Sequence, residues 1–228
     1  MVIFDPEIKD FVQSLMEKSL WIWGPLYQSS INLASQEYAK ALVEQHIAVD
    51  GGILARTNIA TKEKWTSIGD GDSCDDDLDI QYPEDKNQSD LALALEYSRH
   101  HTKANLIRAF GFSGERLDHH LIGLACFKRH LDTLKGAQAR IDGHCLMLSP
   151  GRWKGHLKAS TVSLLTLEET QLSLSGGWKW QLKDKHCKIL DDLLLSNECN
   201  EDELTLNSSK SIILWSQEPI EAWWKFYD

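Results

Sequence analysis

The feature that most constrains this chain is a series of short apolar runs closed by glycine or aspartate, with segments of helical spacing between several of them. Leu20–Trp23 is ended by Gly24-Pro25, and His46–Val49 by Asp50-Gly51-Gly52. Trp65–Ile68 is ended by Gly69-Asp70-Gly71-Asp72-Ser73, and Leu106–Phe112 is a fourth run. Ser35–Gln45, Leu91–His101 and His119–Leu134 read as helices. Parallel strands need a crossover between them, so this alternation predicts an α/β domain with a mostly parallel sheet. Ahead of it, residues 6 to 18 open with Pro6 and repeat apolar residues at Ile8, Phe11, Val12, Leu15 and Met16, the spacing of an amphipathic helix.

After about residue 137 the pattern changes. Ile141–Met147, Ala159–Leu167, Gln171–Leu174, Leu193–Leu195, Glu203–Leu206 and Ser211–Trp215 are short, with glycine or polar turns between them. They predict a small antiparallel β domain. The reading is therefore an α/β domain over 1–136, with an extra N-terminal helix over 1–19, and a β domain over 137–228. The length of 228 residues suits one large or two small domains, and 42% hydrophobic against 25% charged residues is enough to bury a core.

Thirty-four acidic against 24 basic residues give a net charge of −10, which argues against nucleic acid or an anionic membrane as partner. A phosphorylated ligand stays compatible, because a divalent cation between carboxylates and phosphates reverses the local sign. The five cysteines (74, 126, 145, 187 and 199) lack metal-ligand spacing and read as reduced thiols. The N-terminal stretch carries Asp5, Glu7, Lys9 and Asp10 and so lacks the apolar run of a signal peptide. No run of about 18 apolar residues occurs. A soluble, cytoplasmic protein is expected.

Ligands of open parallel sheets sit beyond the carboxyl ends of the strands. Here those ends carry Asp50-Gly51-Gly52 and Asp70-Gly71-Asp72-Ser73, with Arg116-Leu117-Asp118-His119 after the fourth run and Asp90 opening a helix. Adjacent carboxylates repel unless a cation lies between them, and Mg²⁺ favours one or two carboxylates plus phosphates and water. Each piece also has a plainer reading. Asp-Gly-Gly suits a turn, Ser89-Asp90 suits a helix N-cap, Arg116 suits a surface ion pair, and the acidic cluster Asp75–Asp77 with Asp79 suits a solvated loop.

Taken in order, the pieces resemble the thiamin pyrophosphokinase family. The resemblance rests on strand–Asp-Gly-Gly, Gly-Asp-x-Asp-Ser, Lys86-Asn87-Gln88-Ser89-Asp90 and Glu115-Arg116-Leu117-Asp118-His119. In the second half, Gly177-Trp178-Lys179-Trp180-Gln181-Leu182 and Leu195-Ser196-Asn197-Glu198 resemble further family segments. It spans roughly residues 20 to 215.

The resemblance implies transfer of diphosphate from ATP to the hydroxyethyl group of thiamin, releasing AMP, with Mg²⁺ as cofactor and a homodimer that binds thiamin at its shared interface. It implies Asp70, Asp72 and Asp90 as metal ligands and, with Arg116 and Asp118, as the catalytic set. Asp50 would sit near the metal or the nucleotide, and Gly51, Gly52, Ser73, Lys86, Ser89, Arg116 and His119 would face the nucleotide and its phosphates. Trp180 would stack on the thiamin pyrimidine, beside Trp178, with Ser196 and Asn197 hydrogen-bonding it; packing is the plainer role for either tryptophan. The chain departs from the family pattern at Asn87, where members carry a carboxylate, and at Trp23, Glu115 and Trp178. Two alternatives therefore accompany the reading: a pyrophosphokinase for another hydroxymethyl heterocycle such as a pterin, and a non-catalytic thiamin- or nucleotide-binding relative.

Overall fold

The computed structural model describes residues 17–39, 41–59, 61–72, 77–114, 116–158 and 161–227. The helix expected over residues 6 to 18 falls almost wholly outside them. The chain divides into two compact units, the first ending at His120 and the second running from Leu121 to Asp228.

In the first unit, β1 (Lys18–Trp23), β2 (Leu42–Val49), β3 (Trp65–Gly69), β4 (Ile80–Gln81) and β5 (Leu106–Phe110) form a sheet in the order β5-β1-β2-β3-β4. Every pairing among them is parallel. Helix α1 (Ile31–Tyr38) precedes β2, and α2 (Asp90–His101) precedes β5. The strand order reverses at β1, whose neighbours are β2 on one side and β5 on the other, which makes its carboxyl end the switch point of the sheet. The helix read over Ser35–Gln45 ends early: Leu42–Gln45 belong to β2, where Gln45 Nε2 donates to Thr66 Oγ1 of β3 at 2.9 Å.

One face of this sheet is packed with aromatic rings. Trp21, Trp23 and Phe110 are buried together, with ring centroids 4.9 to 5.8 Å apart. His46 lies in the same layer and stacks on Trp65 at 4.4 Å. Each fully buried side chain of this size contributes roughly 2–3 kcal/mol. Gly52 is dictated by this packing, because a Cβ there would meet the carbonyl oxygen of Trp23 at 2.1 Å.

Helix α3 (Leu117–Leu131) runs across the division between the units. The second unit holds β6 (Gln138–Ile141), β7 (Cys145–Leu148), β8 (Gly151–Lys158), β9 (Thr161–Leu165), β10 (Thr170–Trp178), β11 (Leu182–Cys187), β12 (Asn197–Ser208), β13 (Ile212–Trp215) and β14 (Glu221–Tyr227). All pairings within it are antiparallel. Its core gathers Trp153, Trp178 and Trp224 with leucines of β7, β10, β12 and β13. The run read as one strand over Ile141–Met147 is a hairpin, turned at Asp142 and Gly143, both of positive φ (47° and 77°). Leu193–Leu195, read as a strand, is mostly a 3₁₀ turn over Asp192–Leu194, capped by the Asp191 carboxylate accepting from Leu193 N. The sequence pattern predicts no strand at β4, β8, β11 or β14.

Among the described residues no helix is long and apolar enough to cross a membrane. Cys126, Cys145, Cys187 and Cys199 are free thiols, and burial pushes Cys145 up to about 12.

Candidate active site

The parallel sheet delivers three carboxylates to one place. Asp50 follows β2 and Asp70 and Asp72 follow β3, neighbouring strands, so their first following residues emerge side by side. One oxygen from each of Asp50, Asp70 and Asp72 lies within 4.8 Å of the others. Asp50 holds a left-handed backbone, φ 51°, a conformation aspartate tolerates better than most residues. Gly71, at φ 85°, lets the chain turn between the other two, and the Asp72 N–H donates back to Asp70 Oδ1 at 3.3 Å. Ser73, expected beside the phosphates, lies outside the described residues.

Asp90 reaches the group through Lys86 rather than joining it. Lys86 Nζ donates to Asp70 Oδ2 and forms an ion pair with Asp90 Oδ1 at 3.2 Å, four residues along the chain. Burial pulls the Lys86 ammonium down, but its bonds to Asp70 and Asp90 outweigh this and hold it above its ordinary value. The Lys86 hydrogen bond holds Asp70 low, whereas burial raises Asp90. Ser89 caps α2, its Oγ accepting from Ala92 N at 3.3 Å. Cap and site coincide here, since the capped turn is what aims Asp90 at Lys86.

The donor set suits a hard divalent cation. It offers carboxylate oxygens only, and Asp50 Oδ1 is buried without a hydrogen-bond partner, a costly state for an ionised group unless a cation completes it. Asp50, Asp70 and Asp72 are thus the carboxylates that lie together, and Asp90 adjoins them through Lys86. Gly51 and Gly52 are buried in the 3₁₀ segment Asp50–Thr57 and keep backbone, not side chains, at this strand end.

Arg116 and Asp118 form a two-pronged pair, with Nε to Oδ1 at 2.9 Å and Nη2 to Oδ2 at 2.5 Å. Both are exposed, as is His119 in the first turn of α3. The Arg116 hydrogen bond holds the Asp118 carboxyl well below the usual carboxylate range. Glu115 lies outside the described residues.

The second unit separates the two tryptophans. Trp178 is a core side chain, 2% exposed, with Nε1 donating to Thr205 O at 3.2 Å. Trp180 is 49% exposed, and Lys179 Nζ lies 4.5 Å from its ring centre. Asn197 is 5% exposed and bonds the Trp180 backbone at both ends, while Ser196 is exposed with φ 56°.

Two residues that hold the carboxylate loop were not singled out as site residues from sequence. Gln81 Nε2 donates to the Asp70 carbonyl at 2.9 Å, and no sequence signal marks a glutamine on a two-residue strand. Asp79, read as solvated, instead ties β4 to β3: its carboxylate accepts from Ser67 N at 2.8 Å and Ser67 Oγ at 3.0 Å. Asp75 and Asp76 lie outside the described residues.

A parallel sheet with its carboxylates beyond the strand ends places the first unit among α/β folds that bind ligands at that edge. More particularly, the chain has the fold of solved thiamin pyrophosphokinases. It is similar to the thiamine pyrophosphokinase from Bacillus subtilis at TM-score 0.70 and 22% identity, covering 89% of this chain and 100% of that one. It is similar to the thiamin pyrophosphokinase from Geobacillus thermodenitrificans at TM-score 0.65 and 22% identity, covering 93% and 98%. The thiamin pyrophosphokinase from Candida albicans matches at TM-score 0.59 and 15% identity, covering 89% of each. No protein-family model matches the sequence, and no curated protein matches it significantly. At these identities the likeness is one of fold.

Proposed function

We propose that this chain is a divergent thiamin pyrophosphokinase, transferring diphosphate from ATP to the hydroxyethyl oxygen of thiamin and releasing AMP. The observation that carries the reading is the Asp50, Asp70 and Asp72 cluster at the carboxyl edge of the parallel sheet, in a fold shared with thiamin pyrophosphokinases. Asp50, Asp70 and Asp72 would hold Mg²⁺, which when bound neutralises phosphate charge and organises the diphosphate. Lys86, anchored between Asp70 and Asp90, would offer its remaining N–H to a phosphate oxygen. Arg116 would meet the phosphates by exchanging its Asp118 partner for them, and Asp118 would then face the acceptor hydroxyl. Positioning and charge stabilisation are most of what such a transfer needs. The exposed face of Trp180 would stack on the pyrimidine of thiamin. The reading also takes the working protein as a homodimer; Ile189, Leu190, Leu193 and Leu195 are exposed apolar side chains of the kind a second copy would cover.

The test is incubation of pure protein with ATP, Mg²⁺ and thiamin, following AMP and thiamin diphosphate. Formation of both supports the reading. AMP formation only with a hydroxymethylpterin would move the acceptor. Tight thiamin binding without AMP would favour a binding protein, the alternative that Asn87 supports, since an amide stands where the family has a carboxylate. Light scattering at micromolar protein tests the dimer, and a monomer mass would remove it.

A further inference from the structure

The β10–β12 ladder stops one step before Trp180. Trp178 pairs with Cys199, and the Lys179 N–H donates to the Glu198 carbonyl at 2.9 Å. Trp180 lies past that rung, in the connection between the end of β10 at Trp178 and the start of β11 at Leu182. Ser196 takes a left-handed φ of 56°, and its N–H goes to Ser163 Oγ at 3.0 Å. Trp180 thus stands in a turn, at a position where strand pairing does not hold its backbone donor and acceptor.

The Asn197 carboxamide holds both groups. Its Oδ1 accepts from Trp180 N at 3.1 Å and its Nδ2 donates to Trp180 O at 2.9 Å. A primary amide carries the same donor and acceptor as a peptide group, so one side chain satisfies both backbone groups of this turn residue. Aspartate lacks the donor, glutamine is one methylene too long for this spacing, and leucine lacks both functions. Because Asn197 is 5% exposed and both its polar atoms are engaged, it faces Trp180 rather than solvent.

We infer that Asn197 is a positioning residue: it acts on the acceptor substrate through Trp180, by fixing the backbone that carries the exposed indole, and not by a direct bond to the ligand. The structural half stands on these contacts alone; the functional half rests on the proposed reading that Trp180 stacks on thiamin. Fixing a half-exposed ring in advance lowers the ordering cost of binding, so loosening it weakens affinity without removing any ligand contact.

Two measurements on the whole chain test this. The first is amide hydrogen exchange of tryptophan-labelled protein. Asn197→Ala should speed exchange of the Trp180 amide by about tenfold, the loss of roughly one hydrogen bond, whereas Asn197→Asp, which keeps the acceptor, should stay within about twofold of the parent. Unchanged Trp180 exchange in Asn197→Ala overturns the proposal whatever thiamin does. The second is a double-mutant cycle on thiamin affinity by calorimetry. Asn197→Ala should weaken binding by several-fold in the parent and have no effect in a Trp180→Ala background. An equal loss in both backgrounds would mean that Asn197 bonds the ligand itself, overturning the proposal. If Trp180→Ala alone leaves thiamin affinity unchanged, the stacking reading fails, and the exchange experiment still decides the role of Asn197.

Discussion

His46 shows how much one buried side chain can couple this fold to pH. Its ring lies wholly inside the first unit, stacked on Trp65, and its Nδ1 accepts the Trp23 indole N–H at 3.0 Å. An indole nitrogen can only donate, so the neutral imidazole carries its proton on Nε2, which is buried without a partner. A second proton could enter only at Nδ1, breaking the Trp23 bond. Burial accordingly lowers the His46 pKa from 6.5 to about 4. The folded pKa is depressed, so the stabilisation is present above pH 6.5 and is lost as pH falls through about 4. Over that window it amounts to about 3 kcal/mol. Urea unfolding at pH 7 and pH 4 should show this excess loss in the parent protein and not in His46→Phe; parallel losses in the two would assign the acid sensitivity to other groups. The carboxylates predict a second residue-scale result. Asp50→Asn should weaken Mg²⁺ binding about as much as Asp70→Asn, by tenfold or more, because each removes one charge from the cluster. Asp90→Asn should weaken it less, since Asp90 is paired with Lys86. Titration calorimetry with Mg²⁺ checks the order, and Asp90 proving the strongest of the three would return it to the metal.

Elements whose packing follows from local pattern were legible in sequence, and those that depend on distant partners were not. The first strand read correctly because Leu20–Trp23 is an uninterrupted apolar run, as a strand covered on both faces must be. Leu42–Gln45 read as helix because Leu, Glu and Gln favour helix, and the sheet on both sides overrode that preference. Strand β8 alternates buried Trp153, Gly155 and Leu157 with exposed or half-buried neighbours, but its two glycines look like breakers until β14 is laid against Gly155. There a Cβ would meet the Trp223 carbonyl at 2.2 Å. The carboxylate positions at the ends of β2 and β3 were visible as Asp-Gly motifs, because turn and site need the same residues. That Asp50 lies close enough to share a cluster with Asp70 and Asp72 depends on the adjacency of β2 and β3, and the place of Asp90 beside it depends on Lys86. A test at this scale is Gly52→Ala. The added methyl meets backbone of β1 at 2.1 Å rather than a movable side chain, so it should destabilise the protein by about 2–3 kcal/mol and displace Asp50 with it. A denaturation midpoint within error of the parent would show that the strand end yields easily.

Across the whole molecule, the residues proposed for the two substrates belong to different units. Asp50, Asp70, Asp72, Lys86 and Asp90 lie in the first, and Trp180, Ser196 and Asn197 in the second. Charge and stacking are also different kinds of interaction, one acting on phosphates and metal, the other on a flat ring. Effects of substitution should therefore separate. Trp180→Ala should raise the KM for thiamin about tenfold and leave that for ATP within about twofold, because stacking is worth on the order of 1 kcal/mol. Asp72→Asn should cut AMP release by a hundredfold or more and leave thiamin affinity nearly unchanged, because an amide cannot supply the charge that the cation and the developing transition state require. Steady-state kinetics with each substrate varied, together with thiamin calorimetry on both variants, gives the four values needed. Equal losses for ATP and thiamin in Trp180→Ala would mean that the indole supports the fold of its unit rather than a substrate. Thiamin affinity falling with Asp72→Asn would mean that the acceptor is held by the carboxylate edge, and the assignment of the second unit to thiamin would then be wrong.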